Sequence, residues 1–397
     1  MYLLTGNKAE CSGCTACQQI CGHGSITMQT DEDGFLFPVK DLTTCVNCGL
    51  CEKVCPFDKP NYNNTLTDAY ATMAKSSEER IKSSSGGLFY LIAKKVIELG
   101  GIVYGAILDD NMKVHHAHAE SLAELTPLRG SKYVQSSLND TYREIRSHLR
   151  AGRLVYFTGV GCQVAGLKSF LIKSYDNLLT SDLVCHGVPN QKLFDEHIAY
   201  LENKYKGKVV DYKFRDNKGW GGCEKVYIEK KPGKIKIHTL PTYDLSPYLY
   251  SFMYSMTMRI SCYSCPFAKI PRQGDITLAD YWGAQVYFPE LDNSKGVSLI
   301  TINTPKGNEI IKSIESELII EKSNIEDASH YNGNLVHNTE MPPIRSSIFE
   351  LIRKDGYNRI AKTIFRPPYY NKLFVKTRLR QFIGDKSYKI LKKFLTR

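Results

Sequence analysis

Within its first 55 residues the chain repeats one cysteine spacing twice. The first run is Cys11-x2-Cys14-x2-Cys17-x3-Cys21, and the second is Cys45-x2-Cys48-x2-Cys51-x3-Cys55, followed by Pro56. Three thiolates at this step wrap a tight loop around three irons of one cubane, and the fourth, beyond the turn, reaches the neighbouring cluster. The spacing predicts two 4Fe-4S clusters with crossed ligand sets. Cys11, Cys14, Cys17 and Cys55 form one, and Cys45, Cys48, Cys51 and Cys21 the other. Zinc ribbons need only four ligands, usually two separated C-x2-C pairs, so the third cysteine of each run is redundant for zinc. Disulfides need an oxidising compartment. No leader precedes Cys11, so a reducing cytoplasm is expected. Gly22 stands where the first run would usually carry Pro, which alters a turn and not a ligand.

A chain of 397 residues with 42% apolar and 23% charged side chains has room for a small cluster module and one or two larger α/β units. No apolar run of about 18 residues is present, so no membrane-spanning helix is expected. The net charge of +11 is concentrated at one end: residues 341–397 hold 15 basic and 3 acidic side chains, which leaves the rest close to neutral. Residues 1–60 carry 4 basic and 7 acidic side chains, a balance that favours low cluster potentials.

The expected fold class is α+β and α/β. A small ferredoxin-like two-cluster domain spans 1–62, a larger α/β domain 66–340, and a helical basic tail 341–397. In the cluster module, 25–28 and 35–38 flank Asp31-Glu32-Asp33-Gly34 as a hairpin, and Asn61-Tyr62-Asn63-Asn64 reads as a linker. Past Ser83-Ser84-Ser85-Gly86-Gly87, the residues Leu88, Leu91, Ile92, Val96 and Leu99 have helical spacing, with Ser85 as N-cap and Gly100-Gly101 as the stop. A Ser/Gly loop opening a helix suits a phosphate, although most such starts are plain caps. Strands are expected over 102–106, 154–158 and 178–184. The second leads through the turn Gly159-Val160-Gly161-Cys162-Gln163 into a helix from Val164, and the third into Cys185-His186-Gly187-Val188-Pro189. Cys162 and Cys185 then both follow strand ends, where open α/β sheets bind ligands.

The chain has 13 cysteines, and five fall outside the two runs. Cys162, Cys185 and the C-x2-C pair Cys262 and Cys265 form a candidate set for a third 4Fe-4S cluster, with Cys223 to spare. The alternative is buried apolar thiols at Cys162 and Cys185 with zinc on the pair.

Five blocks in order carry a resemblance: Ser84-Ser85-Gly86-Gly87, Gly130-Ser131-Lys132-Tyr133-Val134-Gln135-Ser136, 159–163, 185–189, and 274–283 with Asp275, Asp280 and Trp282. Over residues 1 to about 340 the sequence resembles the beta-subunit family of deazaflavin-coenzyme hydrogenases and dehydrogenases, with the fused ferredoxin found in some members. The resemblance implies FAD, a further 4Fe-4S cluster beside it, and a site for a reducible partner such as the deazaflavin coenzyme. It places Ser84, Ser85, Gly86 and Gly87 at the flavin phosphates. Lys132, Tyr133, Gln135 and Ser136 would line the ring, and Gly159, Gly161 and Gln163 would form the turn against it. Val160-Gly161 replaces the usual small-Pro pair, and Asn190 stands where many members have Ser. A flavin also suits the chemistry, because cubanes pass single electrons while most organic substrates change by two.

His186 is read either as a proton donor beside the flavin or as a hydrogen-bonded turn residue. Arg215, with Asp216, Lys218 and Trp220, is read either as a grip on an anionic substrate or as a solvated loop. His115, His116 and His118 lie on one expected strand, more suited to a half-exposed face than to metal. The basic tail is expected either to touch an anionic membrane surface from the cytoplasmic side or to pack as an ordinary helical pair. Nucleic acid is not expected as a partner, and neither P-loop nor radical S-adenosylmethionine spacing occurs. The expected function is an iron–sulfur flavoprotein oxidoreductase that links a redox partner protein or reduced cofactor to a small-molecule substrate, and the family resemblance implies surface-polysaccharide metabolism as a setting. The alternative is a non-catalytic relay subunit.

Overall fold

The computed structural model describes residues 1–57, 68–216 and 224–384. The linker read at 61–64, the residues Lys218, Trp220 and Cys223, and the end of the tail from Asp385 onward lie outside these segments.

Strands β1 (Ile26–Thr30) and β2 (Leu36–Lys40) pair antiparallel with Thr30 opposite Leu36. The turn is closed by Asp31, whose carboxylate accepts from the backbone N–H of Asp33 at 3.1 Å and of Phe35 at 2.8 Å. Gly34, at φ +100°, supplies the left-handed step. Phe35 and Phe37 fall on one face by alternation, and both are buried.

β3 (Asp68–Ala74), β4 (Ile102–Leu108), β5 (Val114–Ala119), β6 (Val155–Val160) and β7 (Leu178–Leu183) belong to the main sheet. β8 (Lys208–Lys213), β9 (Glu224–Lys231) and β10 (Lys234–Leu240) form a separate antiparallel sheet. β11 (Ile276–Asp280), β12 (Ser298–Ile302) and β13 (Leu318–Ser323) complete the main sheet, in the order β13-β3-β12-β11-β7-β6-β4-β5. Its centre, β4, β6, β7 and β11, is parallel. Both faces are covered, as such a centre requires. Tyr156 meets Leu91, Ile92 and Val96 of the helix Leu88–Glu98, while its neighbour Phe157 packs with Leu167 and Phe170 of the helix Gly161–Leu171 on the other side.

Three local expectations are corrected. Helix Leu88–Glu98 is capped by Gly87 at φ +95°, not by Ser85, whose hydroxyl donates to Val297 O at 3.1 Å. β6 runs on to Val160, and the next helix begins at Gly161 instead of Val164. The amide of Gln163 makes this abrupt switch stable, because its Oε1 accepts the Val160 N–H at 3.1 Å.

The basic tail is not one unit. Ile348, Phe349, Ile352, Tyr357, Ile360 and Phe365 share a core with Phe35 and Phe37 of the hairpin and with Phe194, Phe214 and Tyr248. Full burial of a side chain such as Phe365 contributes about 1.5–3 kcal/mol, which outweighs the modest charge density of this stretch. The helix Tyr370–Ile383 keeps large apolar residues outside, with Phe382 89% exposed and Val375 65% exposed.

Candidate functional site

The sequence repeat is a backbone repeat. In the first cysteine loop Gly13 and Thr15 are left-handed, at φ +70° and +61°, and lead into the helix Ala16–Ile20. At the same positions of the second loop, Asn47 and Gly49 are left-handed, at φ +54° and +71°, and lead into Leu50–Lys53. The two short helices pack together. Cys11, Cys14, Cys17 and Cys55 thereby line one recess of about 390 Å³, with Ser12, Pro56 and Phe57 on its walls. This is the crossed set that the spacing names. Burial pushes the Cys14 thiol up to about 12 and also raises Cys17. In the companion set Cys48 is exposed, while Cys21, Cys45 and Cys51 are half-buried.

The body of the protein forms a second cysteine cup. Cys162 stands in the first turn after β6, Cys185 two residues beyond β7, and Cys262 and Cys265 in and just after the turn Ile260–Ser264. All four line a recess of about 540 Å³ with Val188, Phe267 and Arg272. The sheet delivers the first two and a loop folded back over its edge delivers the pair. Gly161 packs closely there: a Cβ would lie 3.1 Å from Cβ of Phe267, which would have to give by a few tenths of an ångström. Burial raises the thiol of Cys185 to about 11 and pushes up Cys162, Cys262 and Cys265. Among the described residues no group of three or more His, Cys, Asp or Glu closes on a single metal ion. A cubane spreads its four thiolates over the corners of a cube, and sulfur-only cups of this kind fit one. The two recesses share Ser12 and Phe57, and the Phe57 and Phe267 rings meet edge-on at 6.1 Å.

Two arginines that the sequence reading passed over hold these cups. Arg272 reaches Asp182 at 2.7 Å, with both side chains buried, and donates to Leu183 O and Phe267 O. Arg259 crosses from the body into the first cysteine loop, where its Nε donates to Cys11 O at 2.6 Å. Their only signal in the sequence is proximity to Cys262 and Cys265.

The residues named for a flavin divide. Gly87 leaves the helix Leu88–Glu98 without a side-chain cap, so backbone N–H groups of its first turn suit an anionic group at the sheet edge. The side chains do not form a ring cradle. Ser84 accepts from Ser131 N, and Gly86 is pressed against Thr72 O and Ser298, where a Cβ would come to 2.5 and 2.9 Å. Lys132 donates to Pro127 O and Arg129 O at 2.8 Å each, and burial of its ammonium lowers it to about 7. Tyr133 stacks on Phe252, and Gln135 turns away to Ser12 O at 2.9 Å. Gln163 donates to Ser136 Oγ, which donates to His116 Nδ1, and His116 Nε2 donates to Thr158 O, a closed chain of structural bonds. Gly159 lies against Gln163.

His186 bonds at both ring nitrogens, to Asn334 Oδ1 at 3.2 Å and Ser255 Oγ at 3.0 Å, side chains and not the backbone groups expected of a turn residue. Arg215 is paired with Asp280 at 2.5 Å and lies over Trp282, so it is a buried ion pair and not a solvated loop. Asp275 is structural, accepting from Thr180 N and Oγ1 and from Thr304 Oγ1. Asn190 caps the helix Gln191–Tyr205 and also donates to Asp33 O, tying the hairpin to the body.

The fold and cysteine cups define an iron–sulfur protein of the oxidoreductase and electron-transfer type. Residues 152–328 match the family described as the C terminus of the beta subunit of coenzyme F420 hydrogenase/dehydrogenase, and residues 10–59 ahead of them match a 4Fe-4S dicluster domain. The sequence is 23% identical over 256 residues to the F component of F(420)H(2) dehydrogenase from Methanosarcina mazei, covering 60% of this chain and 68% of that protein. Over 58 residues it is 39% identical to the B component of anaerobic dimethyl sulfoxide reductase from Escherichia coli, covering 14% of this chain and 26% of that protein. A solved F420-reducing NiFe hydrogenase complex from Methanosarcina barkeri contains a polypeptide similar to this one, with TM-score 0.43 and 17% identity, covering 75% of this chain and 90% of that polypeptide. Among the described residues no helix is long and apolar enough to cross a membrane.

Proposed function

We propose that the protein relays single electrons between a redox partner at its N-terminal cysteines and a two-electron reaction at the carboxyl edge of the main sheet. One observation carries this reading: the recess of Cys11, Cys14, Cys17 and Cys55 and the recess of Cys162, Cys185, Cys262 and Cys265 share the walls Ser12 and Phe57. A cluster in each supplies one-electron transfer, and a shared wall keeps the pair close. The exposed Cys48 marks the side that a partner protein or reduced cofactor approaches.

The electron pair for an organic substrate calls for an adaptor, and FAD is the one we propose, with its phosphates at the start of the helix Leu88–Glu98. The family match and the uncapped helix start support it. The deazaflavin coenzyme or a sugar-linked metabolite would be the substrate at that edge. The relay-only reading is favoured by the internal bonding of Gln135, Ser136, Gln163 and His186. Anaerobic reconstitution separates the possibilities. Three cubanes give about 12 iron per chain, and C262S is expected to hold about 8. Eight irons in both proteins would remove the third cluster. Failure to retain added FAD would leave the relay.

A further inference from the structure

Arg259 is fully buried. It stands just ahead of the turn Ile260–Ser264 that carries Cys262, and its backbone is pinned on both sides. Its N–H donates to Val188 O and its carbonyl accepts from Cys262 N, each at 2.9 Å. The side chain then leaves the body and enters the first cysteine loop. Nε donates to Cys11 O at 2.6 Å, and Nη2 to Leu36 O at 2.9 Å and to Cys11 Sγ at 3.5 Å. Nη1 donates to Gln135 Oε1 at 3.4 Å, and the Phe37 ring centre lies 4.2 Å from the guanidinium carbon. Gly13 lies against this side chain: a Cβ there would sit 2.7 Å from Gln135 Nε2 and 3.1 Å from that carbon, so both would have to shift.

None of these partners is a carboxylate. Guanidinium stays protonated, and a buried charge needs a counter-charge. The anion it hydrogen-bonds is the thiolate of Cys11, with the cluster that thiolate would hold; the Cys262 thiol also feels its charge, without a hydrogen bond from the guanidinium. Reduction adds one negative charge to a cubane, so a fixed cation and an N–H donor at its sulfur favour the reduced state.

We propose that Arg259 is the counter-cation of the cluster on Cys11, Cys14, Cys17 and Cys55, raising its reduction potential and tying it to the cup of Cys262. The proposal rests on the cluster reading above. It concerns how this protein tunes one site, not which substrate it serves. Arg259 is a positioning residue: it acts on electron transfer through Cys11.

The test is an EPR-monitored redox titration of wild type, R259K and R259M, reconstituted anaerobically and assayed for iron first. With iron retained, R259M is expected to shift one midpoint downward by at least a tenfold change in its reduction equilibrium, about 59 mV for one electron. R259K keeps the charge and is expected to shift it less, and the remaining clusters should move least. Iron retained with every midpoint unmoved overturns this inference alone. Wild type without iron at the Cys11 set overturns the cluster reading as well. Should R259M fail to fold, wild type labelled with nitrogen-15 arginine needs no substitution. Pulsed EPR of the reduced cluster is expected to show guanidinium nitrogen coupling, and its absence overturns the contact.

Discussion

Replacing Arg272 by Met tests how the cysteine cup of the body is held. Arg272 and Asp182 are 1% and 0% exposed and meet at 2.7 Å. The same guanidinium donates to Leu183 O at 3.0 Å, two residues before Cys185, and to Phe267 O at 3.2 Å, two residues after Cys265. It therefore clamps the strand end that delivers Cys185 to the loop that delivers Cys262 and Cys265. Methionine restores much of the volume but leaves the Asp182 carboxylate buried, with Gly274 N and the Thr277 hydroxyl as its donors. Removing one member of such a pair costs about 3–5 kcal/mol, whereas neutralising both is close to neutral. R272M should lose about that much in anaerobic urea denaturation at unchanged m. R272M/D182N should recover most of it. Iron content supplies a second readout, falling toward about 8 per chain in R272M as the clamp opens. R272M within about 1 kcal/mol of wild type with full iron would refute the clamp. So would a double variant no more stable than R272M.

Burial lowers His116 from 6.5 to about 4, so it is neutral in the fold. Its contribution is complete above pH 6.5 and is lost as pH falls from there toward 4, about 3 kcal/mol in all. H116Q should flatten stability between pH 7 and 5 relative to wild type, and identical slopes would exclude His116 as the cause. F365A should lose about 3–5 kcal/mol, since Phe365 is fully buried against the hairpin core, and a loss below about 1 kcal/mol would show the tail helices to be only loosely attached. The exposed apolar residues and the basic charge of the tail beyond Arg366 should bind anionic vesicles at low salt and release them at high salt. A chain ending at Arg366 that co-sediments equally well would return the helix Tyr370–Ile383 to a packing role.

The parts legible in the sequence are those whose information is local. The step of two residues between cysteines is a statement about one loop, and the structure repeats it as paired left-handed residues, Gly13 and Thr15 against Asn47 and Gly49. Apolar, β-rich runs placed β4, β6 and β7 to within two residues at their ends, and ordered blocks of sequence carried the likeness to the family model that matches residues 152–328. Ser85 misled because a serine ahead of a helix is locally a good cap, while its hydroxyl is taken by Val297, 212 residues away.

The amino-acid sequence by itself determined the kind of chemistry, because ligand type and spacing are covalent facts that any fold must respect. Tertiary structure decided everything that depends on which segments meet. Gln135, Ser136 and Gln163 read as flavin contacts in one dimension and prove to bond Ser12, His116 and one another in three. Residues 348–365 read as tail and prove to be core, because an apolar surface is buried wherever a complementary one is offered, here by Phe35 and Phe37 more than 300 positions earlier. The same holds for Arg259. Its nearness to Cys262 is its one mark in the sequence, and it is the fold that carries its guanidinium 248 positions back along the chain to Cys11.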